Sequence, residues 1–293
     1  MKRFVIYLFA SLFLSSVVAF SQDVTIPIET ENVSIVLQTD RLNNLRIVHT
    51  GKLLKSKTDY SDIFASYNYN SEGASLNNSA FTVAGIINFM EPAIAVVHAD
   101  KNNSVDLKYV KHSVSSLDGA TLTKIELKDP VYPFYVNLFY KAWENEDVIE
   151  QWSEIRHTEK GNVILNKFAS ANLYFYNKDY YLTSYNGAWA KEMMPALTHL
   201  QQGMHTIQSR MGTRENLHVS PNFMLSLDGI STENTGSVMI GQLAWNGNFS
   251  IQFETDVYRN MHIVAGINPY QSAIELKPNT SFETPRFIYT LSF

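Results

Sequence analysis

Two carboxylates, Glu150 and Glu154, lie four residues apart in a segment that alternates like a β-strand. Hydrolysis of a glycosidic bond uses two carboxyl groups, about 5 to 10 Å apart, that flank the bond. Carboxylates on one face of a strand more often point into solvent than into a cleft. We therefore assign no catalytic residue to this pair or to any other position.

The histidines suggest metal binding as a second chemistry, but their spacing does not support it. His98 and Asp100 lie two residues apart, and His157 lies near Glu154 and Glu159. Neither group has the His-Glu-x-x-His spacing or a complete ligand set, and the chain has no cysteine. We expect these side chains to be ordinary polar residues of strands.

Other reaction classes lack their motifs. The sequence has no Gly-x-Ser-x-Gly nucleophile turn, no phosphate-binding loop and no dinucleotide glycine fingerprint. The formal net charge is -5, and the charged residues form no basic patch. Nucleic acid is therefore not an expected partner.

Glycine-containing blocks in the second half of the chain hold the best binding candidates. They cover residues 186–189, 241–249, 266–270 and 282–285. We expect the blocks to lie at turns between short strands, with Gly187 and Gly247 supplying a positive φ angle or a tight turn. Asn246 and Asn248 accompany the second of these glycines as candidate contact residues.

The four tryptophans divide into two groups. Trp143 and Trp152 lie in strand-like segments, so we predict that they pack in the core. Trp189 and Trp245 adjoin the predicted turns, where a large ring can anchor a ligand or a partner surface. These two residues are candidates for a substrate or interface contact.

Strand patterns dominate the elements that must position these residues. Residues 148–157 alternate clearly, and residues 134–140 are aromatic and β-branched. Many such segments, separated by Gly, Asn, Asp and Pro, predict an all-β fold, a large antiparallel sandwich with few short helices. Residues 61–65 and 193–199 are expected to form short turns at most.

The N-terminus has the pattern of a signal peptide. Lys2 and Arg3 precede a mostly apolar run over residues 4–18, and small residues at 19–21 predict cleavage before Gln22. We expect a signal peptide at 1–21, one β domain at 22–293, and export to the periplasm or beyond. The apolar run is too short for a membrane span, so no membrane contact is expected once the signal is removed.

A further series of short blocks runs through the chain. The earlier ones are residues 91–93, 98–100, 107–112, 129–134 and 147–149. The later ones are residues 187–189 with Glu192, then 209–212, 221–223, 241–249, 266–269 and 284–285. In order and spacing they resemble the N-terminal domain of glycoside hydrolase family 36 α-galactosidases, over most of the chain after residue 21.

The resemblance implies a β-supersandwich that leads into a (β/α)8 barrel. In that family the barrel carries an Asp nucleophile in a Lys-Trp-Asp motif and a second Asp as acid/base, on terminal α-galactosyl groups. This sequence has neither the tripeptide nor a βα succession, so we expect the catalytic barrel to be missing and the chain to be inactive alone. The resemblance implies no cofactor, and it adds Glu192 to the candidates.

The sequence departs from the family pattern in three places. Asn246 stands where Ser is common, and Arg286 stands where an acidic residue is common. The loop predicted at 57–79 lacks a clear counterpart of the Asp/Arg loop that reaches a neighbour's active site in some tetrameric members. Asp59, Asp62 and Tyr67 are the polar candidates there.

Three functional interpretations follow. The first is the non-catalytic N-terminal domain of a secreted α-galactosidase-like enzyme, which supports its barrel and contributes to contacts in a homo-oligomer. It includes the expectation that residues 287–293 leave an apolar surface or strand edge uncovered. The second is a stand-alone periplasmic module that binds α-galactosides. The third, a lyase or epimerase, requires His98, His157 and several carboxylates to share one pocket.

Overall fold

The computed structural model describes residues 24–62, 78–85, 90–212 and 218–293. The predicted signal peptide at 1–21, the candidate Tyr67 and most of the loop predicted at 57–79 lie outside these residues. In the described part the chain is almost entirely β-strand, as the sequence predicts, with one short helix.

The elements follow one another along the chain in this order. They are β1 (Thr25–Glu29), β2 (Val33–Thr39), β3 (Leu45–Lys52), α1 (Lys57–Asp62), β4 (Ile94–Val97), β5 (Lys108–Leu117), β6 (Ala120–Lys128), β7 (Phe134–Trp143), β8 (Val148–His157), β9 (Val163–Phe175), β10 (Tyr180–Ala188), β11 (Lys191–Leu200), β12 (Gly203–Ser209), β13 (His218–Leu227), β14 (Val238–Leu243), β15 (Phe249–Thr255), β16 (Met261–Ile267), β17 (Ile274–Leu276), β18 (Ser281–Glu283) and β19 (Phe287–Ser292). No helix of the described residues has the length and apolar character that crossing a bilayer requires.

These strands form three antiparallel sheets. The large sheet has the order β11-β10-β13-β14-β19-β8-β7-β6-β5, and β18 also pairs with β8. The second sheet has the order β12-β15-β16-β9-β17, with β4 on another stretch of β9, and β1, β2 and β3 form a small third sheet.

The sheets share one hydrophobic core. Phe223 of β13 meets Phe253 of β15 edge to face, with 4.8 Å between ring centroids, so the large and second sheets are in direct contact. On β7, Val136, Leu138 and Tyr140 point into this core because alternate strand residues face the same side. The period-two pattern of the sequence is thus what places these side chains between the sheets.

Strand β19 lies inside the large sheet rather than at an edge. It pairs with β14 on one side and β8 on the other, and its core residues Phe287, Tyr289 and Leu291 are at most 3% exposed. The expectation of an uncovered strand edge at residues 287–293 is therefore wrong, whereas apolar surface is exposed in this segment at Ile288 (36%) and Phe293 (45%). The reason is topological, because the strands that cover β19 come from distant parts of the sequence.

The expectation of short turns at residues 193–199 is also wrong. These residues belong to β11, which pairs with β10 along its length. Most of β11 is exposed on both faces, so it lacks the alternation by which a strand is recognised in a sequence. The helix α1 ends at Asp62, so it covers only the start of the turn expected at 61–65.

A buried ion pair holds the turn between β2 and β3. Asp40 accepts hydrogen bonds from the Leu42 and Asn44 backbone nitrogens at 2.9 and 3.0 Å, and from Arg46 Nε at 2.9 Å. Arg46 is only 1% exposed and also donates to Asn78 Oδ1 at 2.9 Å. Burial alone would raise the pKa of Asp40, but the hydrogen bonds from Asn44, Arg46 and Leu42 outweigh it and lower that pKa.

Several tyrosine hydroxyls are placed so that alkaline pH should destabilise the fold. Burial, with a smaller effect of the neighbouring Glu29 carboxylate, raises the pKa of Tyr60 to about 12. Burial also raises the pKa of Tyr140, Tyr174 and Tyr289 above the ordinary value. The neutral phenols therefore stabilise the fold below about pH 10, and that stabilisation is lost as pH rises further, because the unfolded chain ionises first.

We expect the thermal midpoint to fall steeply above pH 10. The thermal midpoint of a Tyr60→Phe variant should fall less between pH 10 and 12 than that of the wild type, because the variant has no hydroxyl to ionise at this position. Thermal unfolding followed by circular dichroism at several pH values measures both. An equal fall in the variant and the wild type would contradict the role of Tyr60.

Candidate functional site

The blocks singled out in the sequence gather at one end of the sandwich. In the large sheet Asn186 pairs with Val219, and Leu243 pairs with Phe287, so the 186–189, 244–248 and 284–286 segments leave the sheet at that end. In the second sheet Ser209 pairs with Phe249, which pairs with Ile267. The 210–212 and 268–270 segments therefore leave at the same end. We call these five segments the block end.

Side-chain amides tie the block end together. Asn248 Oδ1 accepts a hydrogen bond from Gly212 N at 2.8 Å, and Asn268 N donates to Asn248 O at 3.0 Å. Asn268 Nδ2 donates to Ser209 O and Phe249 O, both at 3.2 Å. The Asn248 side chain thus holds its own loop to Gly212, and the Asn268 side chain holds the 268–270 loop to Ser209 and Phe249.

The block end presents aromatic and sulfur-containing side chains to solvent. Trp245 is 38% exposed, Tyr270 46% and Met211 62%. The Arg210 guanidinium lies 4.3 Å from the centre of the Tyr270 ring, and Asn246 is exposed beside Trp245. This composition is typical of the contact residues of protein interfaces.

Trp189 lies at the tip of the β10–β11 hairpin, at the same end. Its side chain is 84% exposed, and Glu192 beside it is also exposed. The hairpin continues this surface with Met194 at 53% exposure, whereas Leu197 lies three residues further along β11 and faces the opposite side of the sheet. Because the Trp189 indole ring is hardly buried within the chain, burial contributes little to the stability of the fold here. The ring is available for contact with a ligand or another protein domain.

Gly241, Gly247 and Gly266 serve close packing, whereas Gly212 has a φ angle of 74°. Neither Gly187 nor Gly247 has a positive φ angle, so that part of the expectation is wrong. A Cβ at Gly247 would lie 2.5 Å from Trp245 Nε1, because the indole ring covers this residue. The blocks at 241–249 and 266–270 do span turns, at 244–248 and 268–270, but their first glycines lie in strands, Gly241 in β14 and Gly266 in β16.

Trp152 is buried, as predicted, but outside the core between the sheets. Its ring stacks on Phe139 with 4.9 Å between centroids, and the Arg286 guanidinium lies 3.7 Å from its centre on the outer face of the large sheet. Arg286 thus covers an indole ring. Trp143 is half-buried and donates to Glu150 Oε1 at 2.7 Å.

The strand geometry argues against a catalytic pair at Glu150 and Glu154. Four residues along a strand span about 13 Å, which exceeds the separation that glycosidic hydrolysis requires. Trp152 stands between the two carboxylates on the same face, and Glu150 holds the Trp143 indole. Both carboxylates are therefore surface groups of the sheet.

His98, His157 and Glu159 do come together, a grouping that their separate positions did not predict. His98 Nδ1 lies 2.8 Å from Glu159 Oε1, and Glu159 N donates to His157 Nδ1 at 3.3 Å. Both imidazoles are 0% exposed, and Tyr132 stacks flat on His98 at 3.7 Å. The cluster is closed to substrate, so it locks two loops together and does not favour a lyase or epimerase.

The remaining candidates lie apart from the block end. Asp59 is exposed in the first turn of α1, where its Oδ2 accepts from Ser56 N at 3.3 Å. This is a helix-capping contact. Asp62 ends α1, but its side chain, like all of Tyr67, lies outside the described residues. Within the described part of the chain, no group of three or more His, Asp or Glu is placed to hold a metal ion.

Comparison with known proteins extends over nearly the whole described fold. The family model of the glycosyl hydrolase family 36 N-terminal domain matches residues 43–277. The chain is 30% identical over 186 residues to alpha-galactosidase 2 of Pediococcus pentosaceus, which is 64% of this chain and 26% of that protein. It is 28% identical over 227 residues to alpha-galactosidase Mel36A of Lactobacillus acidophilus, or 72% of this chain and 31% of that protein.

Solved structures show the same fold. The alpha-galactosidase from Lactobacillus brevis superposes with a TM-score of 0.84 at 23% identity, over 93% of this chain and 40% of that chain. The AgaA alpha-galactosidase from Geobacillus stearothermophilus superposes with a TM-score of 0.82 at 22% identity, over 92% of this chain and 40% of that chain. The chain thus spans less than half the length of these relatives. It belongs to glycosyl hydrolase family 36, as the resemblance in the sequence predicted, and corresponds to the N-terminal domain of that family.

Proposed function

We propose that this chain is the non-catalytic N-terminal domain of a secreted α-galactosidase-like glycoside hydrolase. Its role is to support a (β/α)8 barrel that hydrolyses terminal α-galactosyl residues. Family membership and the names of the relatives support this proposal. Export is part of the proposal, and N-terminal sequencing of the exported protein, which should begin at Gln22, tests that part.

The observation that carries the proposal is the convergence of five of the later family blocks on one exposed surface. Trp189, Trp245, Tyr270 and Met211 leave apolar area in solvent at the block end. Hot spots of protein interfaces are enriched in Trp, Tyr and Arg. A neighbouring catalytic domain is the partner whose contact would bury these rings.

A domain exchange tests this role. Residues 24–293 would replace the N-terminal domain of Geobacillus AgaA, and the chimera should hydrolyse an aryl α-galactoside. Trp189→Ser should then lower the thermal midpoint of the chimera, because truncating an interface anchor costs about 2 kcal/mol or more. Leu42→Ser is the matched control, since Leu42 is 57% exposed on the β2–β3 turn, away from the block end. Equal behaviour of the two variants would contradict the role of Trp189.

The exposure of Trp189 also keeps a second candidate open, a module that binds α-galactosides by stacking on this ring. Calorimetry of the purified chain with galactose, melibiose and raffinose separates the two. Binding at millimolar concentration or tighter that is lost in Trp189→Ala or Trp245→Ala would favour the module. The scaffold proposal predicts no measurable heat with any of the three sugars.

A further inference from the structure

Strand β5 is an open edge of the large sheet. It spans Lys108–Leu117, pairs with β6 on one side, and is exposed on both faces from Val110 to Leu117. Val114 is 59% exposed and Leu117 41%. The second sheet does not reach this strand, so another strand could approach it without obstruction from the described residues.

The backbone of β5 is free to pair along this edge. Apart from its ladder with β6, one backbone hydrogen bond between described residues reaches β5, from Tyr109 N to Asn43 O at 2.8 Å. From Val110 to Leu117 the strand contains no proline and no acidic residue, but Lys111 and the bulge between Tyr109 and Lys111 lie at its beginning, so the open part of the edge runs from His112 to Leu117. Natural proteins usually blunt such an edge with proline, with charge or with a covering element.

The opposite edge of the same sheet is blunted. There β11 contains Pro195, which cannot donate to a ladder and is confined to edges. One edge of the sheet is thus interrupted by proline, whereas the other is open from His112 to Leu117.

We propose that β5 pairs antiparallel with β5 of a second copy of this chain, about a two-fold axis through Ser113. In this register Lys111 faces the partner's Ser115, and His112 faces the partner's Val114. The two copies of Lys111 are then about 13 Å apart along the strands, beyond the Debye length of about 8 Å at physiological salt. No like charges stand opposite each other.

The arrangement closes on itself. A two-fold contact uses the same edge of both copies, so it leaves no free β5 edge. The remaining edge, β11, carries Pro195 and does not extend the sheet further. The product is a dimer with one continuous sheet and not a filament, which is why a second copy fits this edge.

Analytical ultracentrifugation of the purified chain at rising concentration tests the dimer. We expect the apparent mass to rise from one chain to two and then to remain constant. Val114→Lys should stay at one chain throughout, because it places a charge in the middle of the paired edge. Leu197→Lys is the matched control, since Leu197 is 56% exposed on the other edge strand and the same substitution there should leave the dimer intact.

A second variant addresses the backbone. Val114→Pro, checked for native circular dichroism, should also be monomeric, because proline cannot contribute to a strand ladder. If the proline variant does not fold, the result for Val114→Lys decides the test. Three results would overturn the proposal. The wild type could stay monomeric at the highest concentration, or its mass could grow beyond two chains. The third is a dimer that is lost in Leu197→Lys but kept in Val114→Lys. None of these outcomes depends on whether the chain supports a catalytic barrel.

Discussion

Replacement of Arg46 by methionine is expected to lower the free energy of unfolding by about 3 to 5 kcal/mol. Methionine keeps most of the side-chain volume but removes the charge that lies 2.9 Å from Asp40. The Asp40 carboxylate would then be buried without its cation, and breaking a buried pair from one side is more costly than losing an exposed one. Urea unfolding followed by circular dichroism measures the difference.

The matched control is Glu283→Ala, which removes an exposed partner from the Arg286–Glu283 pair at 2.8 Å. Exposed pairs of this kind contribute about 1 kcal/mol or less. The pH dependence adds a second check, because the folded state lowers the pKa of Asp40. The pair therefore stabilises the fold above about pH 4 and is lost as pH falls further. Similar losses in Arg46→Met and Glu283→Ala would show that the Asp40–Arg46 pair is not important.

Gly241→Ala is expected to destabilise the fold by about 1 to 3 kcal/mol, although it adds only one methyl group. The new Cβ would lie 2.6 Å from Phe223 Cζ and 2.9 Å from Phe287 Cζ. Both rings are fully buried, and Phe223 also packs on Phe253 across the core. Because well-packed rings cannot move aside without disturbing their neighbours, the cost falls on the sheet contact itself.

Gly51→Ala provides the comparison for this variant. Gly51 also lies in a strand, β3, but the nearest atom to its added Cβ would be His49 Cε1 at 3.4 Å, an ordinary contact. We expect its unfolding midpoint in urea to differ little from that of the wild type. A Gly241→Ala protein as stable as Gly51→Ala would show that the rings at Phe223 and Phe287 can rearrange freely.

Regular alternation made the central strands predictable. The segment expected at 148–157 coincides with β8, Val148–His157, and residues 134–140 lie within β7. In both strands the apolar side of the pleat faces the core, so sequence and tertiary structure agree. The likeness to family 36 was also visible in the sequence, because it depends on the order of short blocks.

What could not be predicted depends on contacts between distant residues. The close approach of Phe223 and Phe287 to Gly241 joins three strands, so the glycine looked like a turn residue. The central place of β19 depends on pairing with β8, more than 130 positions earlier in the chain. The closed group of His98, His157 and Glu159 joins residues up to 61 positions apart, so no local spacing in the sequence predicts it.

The candidate contact residues were found in part. The sequence indicated Trp189 and Trp245, and the structure places both at the block end with exposed rings. It did not indicate Met211 or Met194, because nothing local distinguishes an exposed apolar residue from a buried one. Proximity to a turn was the only available signal, and it applied to the tryptophans alone.

The central claim is that this sandwich supports catalysis without performing it. A hydrolysis assay of the purified chain by itself, on an aryl α-galactoside and free of host enzyme, tests that claim most directly. The account predicts a rate equal to that of the buffer blank. Turnover above the blank that copurifies with the chain would contradict it.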